Sequence, residues 1–178
     1  ISLNGDNPLN EYKGYAAVKG YRRLFEEYLL SMKSGQATKR KRIFVSETGS
    51  SPEFESLKRL FFLTEQNDIQ LYLYFHPYHS TLLDLIFSEG KAVEFEEWKD
   101  RIISLVQGYR KVELWDFSAR NEWTSEAIPK AEDLITQMKW YWEPGHYKTA
   151  LGDKILSRIL SSDISDSEKT FGNKKYPK

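Results

Sequence analysis

The chain has no cysteine, so disulfides and thiolate metal ligation are excluded, while the cytoplasm and a disulfide-free periplasm stay equally open. It has no excess charge either: 26 basic side chains face 26 acidic ones, so no global field draws it to nucleic acid or to an anionic membrane. Nucleic acid is therefore not an expected partner. No apolar run approaches the ~20 residues that a membrane helix needs, and no secretory-signal pattern is visible, so no membrane segment is expected. Histidine is scarce, with three in 178 residues. That length suits one domain with a real core.

What is present is organised as helical and strand patterns in alternation. Residues 1 to 10 are polar and read as a loop or arm. From Tyr12 to Lys33 the spacing of Tyr21, Leu24, Phe25, Tyr28, Leu29 and Met32 predicts an amphipathic helix, with Gly14 and Gly20 weakening its first turns. The basic run Lys39 to Arg42 reads as a solvated approach to the short apolar segment Ile43 to Val45. A second helix spans Pro52 to Asn67. Ile69 to Phe75 is a β-branched and aromatic run of strand length, and Val112 to Phe117 is another. Between them lie helices at Thr81 to Phe87 and Val93 to Val106. Residues 119 to 137 read as loop with a short helical piece near Ala131 to Gln137, and residues 161 to 178 as a polar tail, mobile or laid loosely on the surface.

Strands that alternate with helices imply βαβ units. The two apolar runs are expected to be neighbouring parallel strands with helices over both faces. With so few strands, one flank of Ile69 to Phe75 needs a cover: Ile43 to Val45, the N-terminal arm, or a second molecule, since an open apolar edge invites self-association.

The richest stretch is Met138 to Leu156. Glu143 and His146 stand three residues apart across Pro144-Gly145, where proline fixes one backbone angle and glycine frees the next. Leu151, Ile155, Leu156, Ile159 and Leu160 then recur at helical spacing, which places His146 at or just before a helix. Trp140, Tyr141 and Trp142 precede the carboxylate; they suit either a cleft wall for sugar or acyl groups or an anchor to the core. His76 and His79, around Pro77, fall at the end of the first strand, and Asp116 and Ser118 at the end of the second. Site residues of open α/β sheets gather at such carboxyl ends.

Four motifs together carry a resemblance: Trp115-Asp116-Phe117-Ser118 with Asn121; Trp140-Tyr141-Trp142-Glu143 with His146-Tyr147 and Leu151-Gly152-Asp153; Pro77-Tyr78-His79; and Phe95-Glu96-Glu97-Trp98-Lys99. Over residues 54 to 160 the chain resembles the C-terminal half of SGNH (GDSL-like) hydrolases, and within them a group of bacterial SGNH-like proteins. The resemblance implies an α/β domain over residues 1 to 160, three-layered, with a parallel sheet of SGNH/flavodoxin-like type that is incomplete in this chain. It implies an esterase or acyltransferase acting on a carbohydrate or lipid-linked ester by a Ser-His-Asp/Glu mechanism, without a cofactor. It also favours the periplasm or cell envelope.

In that reading His146 is the general base and Glu143 orients it, with aspartate the usual family residue at Glu143. Asp116 is a second candidate carboxylate. His76, His79, Ser118, Asn121, Trp140 and Trp142 line the site, or else serve loop backbone and core. The Gly-Asp-Ser block of the family is absent from the sequence, and Gly49-Ser50-Ser51 before Pro52 reads as a helix cap. The nucleophile is thus expected upstream of Ile1. Two alternatives stand beside this: a non-catalytic binding or scaffold domain of a cell-envelope pathway, and a metal-dependent hydrolase using His76, His79 and His146 with Asp116 or Glu143.

Overall fold

The computed structural model describes residues 10–38, 51–161 and 170–176. The expectations for residues 1–9 and for the Lys39 to Val45 region lie outside the described residues. Within them the architecture is α/β: a small sheet containing a parallel strand pair, a two-stranded hairpin, and helices. No helix among the described residues is long and apolar enough to cross a membrane.

The helix α1 (Asn10–Thr38) is broken at Gly20, whose φ of 76° only glycine adopts without strain. An added β-carbon there would also stand 3.0 Å from Leu134 Cδ2, so the break is where the loop before the hairpin crosses the helix. Next comes α2 (Pro52–Gln66), started by Ser51, whose hydroxyl accepts from the Phe54 N–H, with Pro52 in the first turn. The cap reading of Ser51 holds.

Strand β1 (Leu71–Phe75) runs parallel to β2 (Val112–Asp116), in the register Leu71 opposite Val112 and Phe75 opposite Asp116. Helices α3 (Ser80–Ser88) and α4 (Ala92–Val106) connect them. Alternation along β2 divides the core. Val112 and Leu114 pack with Phe54 and Phe61 of α2 and Ile102 and Val106 of α4, whereas Trp115 and Phe117 pack with Tyr21 and Phe25 of α1 and with Leu151 and Ile155 of α5 (Thr149–Leu160).

Two expectations are corrected here. Residues 131–137 form no helix: Asp133 folds the chain into a turn, accepting from the N–H groups of Ile135 and Thr136, which competes with helical bonding. The stretch assigned to the polar tail also returns to the domain. Its residues Asn173–Tyr176 form a strand paired antiparallel with β2, and Phe171 before it is fully buried. Buried length matters more than polarity here, since one phenylalanine and a sheet edge anchor a segment that is otherwise charged.

The sheet order puts β2 in the centre, with β1 at one edge. The Leu71 N–H and the Phe75 carbonyl point to β2, so the alternating groups of Tyr72 and Tyr74 face outward. Among the described residues no strand pairs with that edge.

Candidate functional site

The hairpin of Tyr141–Glu143 and His146–Tyr147, β3 and β4, turns through Pro144-Gly145 and sits against the carboxyl end of β1. Four bonds hold it there. The His79 N–H donates to the Pro144 carbonyl at 3.0 Å, His76 Nε2 lies 3.0 Å from the Gly145 carbonyl, Tyr141 Oη donates to the Pro77 carbonyl at 2.7 Å, and the hydroxyls of Tyr74 and Tyr147 are 2.7 Å apart. The segments that the sequence placed at a strand end and before a helix are thus brought together.

At the centre is a carboxylate–imidazole pair. Glu143 is buried, 2% exposed, and both its oxygens are used: Oε2 accepts from the Gly145 N–H at 2.8 Å, and Oε1 is hydrogen-bonded to His146 Nδ1. A carboxylate only accepts, so Nδ1 carries the proton and Nε2 keeps its lone pair. The His146 side chain is 60% exposed, which leaves Nε2 open to a ligand. Chemically, this is an imidazole whose tautomer is fixed by a carboxylate, the arrangement of a general base or an acyl acceptor.

Asp116 is not part of this pair. Its Oδ1 accepts from the N–H and hydroxyl of Ser118 (2.9 and 2.6 Å), and its Oδ2 lies 3.0 Å from Lys99 Nζ and 3.7 Å from Lys175 Nζ. Burial alone would raise its pKa, but the bonds from Ser118 and Lys99 hold the carboxyl below its ordinary value. Lys99, the last residue of the Phe95 to Lys99 motif, lies over the rings of Phe75 and Phe95, so that motif serves a buried ion pair.

His79 is buried and caps α3. Its Nε2–H donates to the Glu126 carbonyl at 2.8 Å and its Nδ1 accepts from Thr81, while Phe25 and Tyr141 stand edge-on to the ring. Both nitrogens are spent. Burial pushes its pKa down, as it does for His76. The His76 ring stacks on Tyr147 and donates to Gly145, so it braces the turn. Asn121 receives the N–H groups of Trp123 and Thr124 and orders its own loop. Of the proposed lining residues, then, His79 and Asn121 bond loop and helix backbone, whereas Ser118 bonds the Asp116 carboxylate.

Trp142 is enclosed between Tyr12 and Tyr21, both at 6.3 Å and near parallel, with Lys148 Nζ 4.1 Å from its ring centre. That is an anchor, not a free wall. Lys148 bonds to Tyr21 Oη and the Met138 carbonyl, and burial lowers its pKa. Trp140 is half-buried with Lys139 Nζ over its ring. Among the described residues no three His, Asp or Glu side chains converge on a point that would hold a metal, consistent with the separate engagements of His76, His79 and Asp116.

Sequence reasoning missed the contribution of α1. Tyr12 and Tyr28 reach the His146 ring, at 6.0 and 6.4 Å between centres. The helical spacing had marked Tyr28 as a core position, and nothing local tells which helix meets the hairpin. Compared with family models, with curated proteins and with solved structures, the chain matches none.

Proposed function

We propose that the chain carries the acid–base half of an ester hydrolase or acyltransferase of SGNH-like type, with His146 as general base and Glu143 as the residue that orients it. The observation that supports this is the buried Glu143 carboxylate on His146 Nδ1 with Nε2 left exposed. In this reading Nε2 takes the proton of a hydroxyl nucleophile as it attacks the acyl carbon and returns it to the departing alkoxide. The three-layer arrangement with a larger parallel sheet belongs to the same proposal, as does a carbohydrate or lipid-linked ester as substrate. Self-association along the outer edge of β1 would fit it.

The test is turnover of 4-nitrophenyl acetate by the full-length protein. His146→Ala should lower the rate by several orders of magnitude, because members of such a unit do not act separately. An unchanged rate removes the assignment. One observation favours the second reading, a binding domain without turnover: among the described residues no serine or threonine hydroxyl is hydrogen-bonded to His146. Normal ligand retention by His146→Ala with no turnover by either protein would establish that reading instead.

A further inference from the structure

Tyr28 is left without a task by the acid–base reading, yet it stands beside the pair. It comes from the second half of α1, and its hydroxyl lies against the α-carbon of Gly145, one of the two residues between Glu143 and His146, so closely that a β-carbon there would overlap it. Its ring is perpendicular to the His146 imidazole. The Glu143 oxygens already accept from Gly145 and His146, so Tyr28 is not needed to satisfy them. Among the described residues the Tyr28 hydroxyl has no hydrogen-bond partner, although the side chain is half-buried. Burial and the nearby Glu143 charge push its pKa up to about 12, so it keeps its proton across the working range.

We propose that Tyr28 is a ligand-contacting residue whose hydroxyl donates a hydrogen bond to the carbonyl oxygen of an uncharged acyl group held over His146. A neutral donor aimed at an oxygen that becomes negative during attack lowers the barrier, and a phenol serves as well as an amide N–H. Such a donor favours a carbonyl over an anionic ligand, because the buried Glu143 carboxylate is close by and its charge opposes a second anion. The inference rests on the acyl-transfer reading of Glu143 and His146, but its test requires neither the natural substrate nor a serine.

Diethyl pyrocarbonate is an acyl donor that imidazole attacks directly. Nε2 bonds to a carbonyl carbon, ethyl carbonate leaves, and the Nδ1 proton passes by way of Glu143 to water. The rate of carbethoxylation at His146 is read by mass spectrometry of its peptide in the wild type and in Tyr28→Phe, which keeps the ring and removes only the hydroxyl. Tyr28→Phe should slow the reaction at His146 about tenfold, the worth of one neutral hydrogen bond, with the NMR titration of His146 and the melting temperature unchanged. An equal rate overturns the proposal. A slower rate accompanied by a displaced His146 titration also overturns it, because Tyr28 would then act by holding the imidazole. Failure of ester turnover in the full-length protein would retire the hydrolase reading and leave this measurement standing.

Discussion

Tyr28 and Gly145 share one space: the position that a β-carbon on Gly145 would take lies 2.6 Å from Tyr28 Cζ, and nearer still to the hydroxyl. The turn that joins Glu143 to His146 is therefore shaped by a residue of α1 more than a hundred positions away. Gly145→Ala should force the ring aside, at a cost of about 1–3 kcal/mol by overpacking. Thermal melting reads the loss of stability, and the NMR signals of His146 read the displaced turn. A variant as stable as the wild type, with an unmoved imidazole, would mean that Tyr28 yields freely.

Two carboxylates were candidates for the histidine, and they separate by substitution. Glu143→Gln should alter the titration and reactivity of His146, since it removes the charge on the buried side of the ring. Asp116→Asn should leave both unchanged and destabilise the fold instead. It leaves Lys99, whose side chain is 11% exposed, with only the exposed Glu96 at 3.3 Å, so the cost should stay below the about 3–5 kcal/mol of a fully uncompensated buried charge. Urea denaturation and histidine NMR on the two variants decide the matter. A shift of His146 in Asp116→Asn would reconnect the two clusters.

Burial of His79 and His76 sets a pH dependence of known sign. Both pKa values are depressed in the folded state below the ordinary 6.5, so as pH falls through 6.5 the unfolded chain gains protons that the folded chain refuses. Stability should be level above about pH 7.5 and decline toward pH 5.5. Asp116, whose folded pKa is also depressed, adds its loss only at more acid pH, below its ordinary 3.8. His79→Asn keeps a cap for α3 and removes one titrating ring, so its decline should be shallower. Parallel curves for the two proteins would show that His79 does not contribute.

The parallel pair, the helices between its strands and the meeting of the His79 loop with the Pro144-Gly145 turn were legible because each rests on local pattern. The run Ile69 to Phe75 was expected to be buried on both faces, however, and only Leu71–Phe75 forms strand, with Ile69, Tyr72 and Tyr74 exposed, because the tyrosines carry polar tips and among the described residues no helix covers that face. What was not legible depends on partners distant in sequence. Gly20 read as a weak helix position, and only its packing against Leu134 shows why the helix breaks there. Trp142 suited a cleft wall and a core anchor equally, and only the rings of Tyr12 and Tyr21 beside it favour the anchor. Asp116 and Ser118 ended a strand as predicted, yet Lys99, seventeen residues before Asp116, determines what the carboxylate does.

The C-terminal strand gives the plainest case, because a polar sequence concealed one decisive side chain. Phe171 is fully buried between Phe117 and Trp123, 4.9 and 4.8 Å between ring centres, and Gly172 beside it takes a φ of 79° with Phe117 against its α-carbon. The strand that follows, β5 (Asn173–Tyr176), covers the edge of β2 and carries Lys174 to Glu113 at 2.9 Å. These two contributions differ in size. Removing a buried aromatic leaves a cavity worth about 3–5 kcal/mol, whereas a partly exposed ion pair is worth about 1 kcal/mol or less. Phe171→Ala should therefore lower the urea midpoint strongly and expose the β2 edge to hydrogen exchange, while Lys174→Ala should scarcely move it. If Phe171→Ala melts with the wild type, this segment is the loose tail that its composition describes.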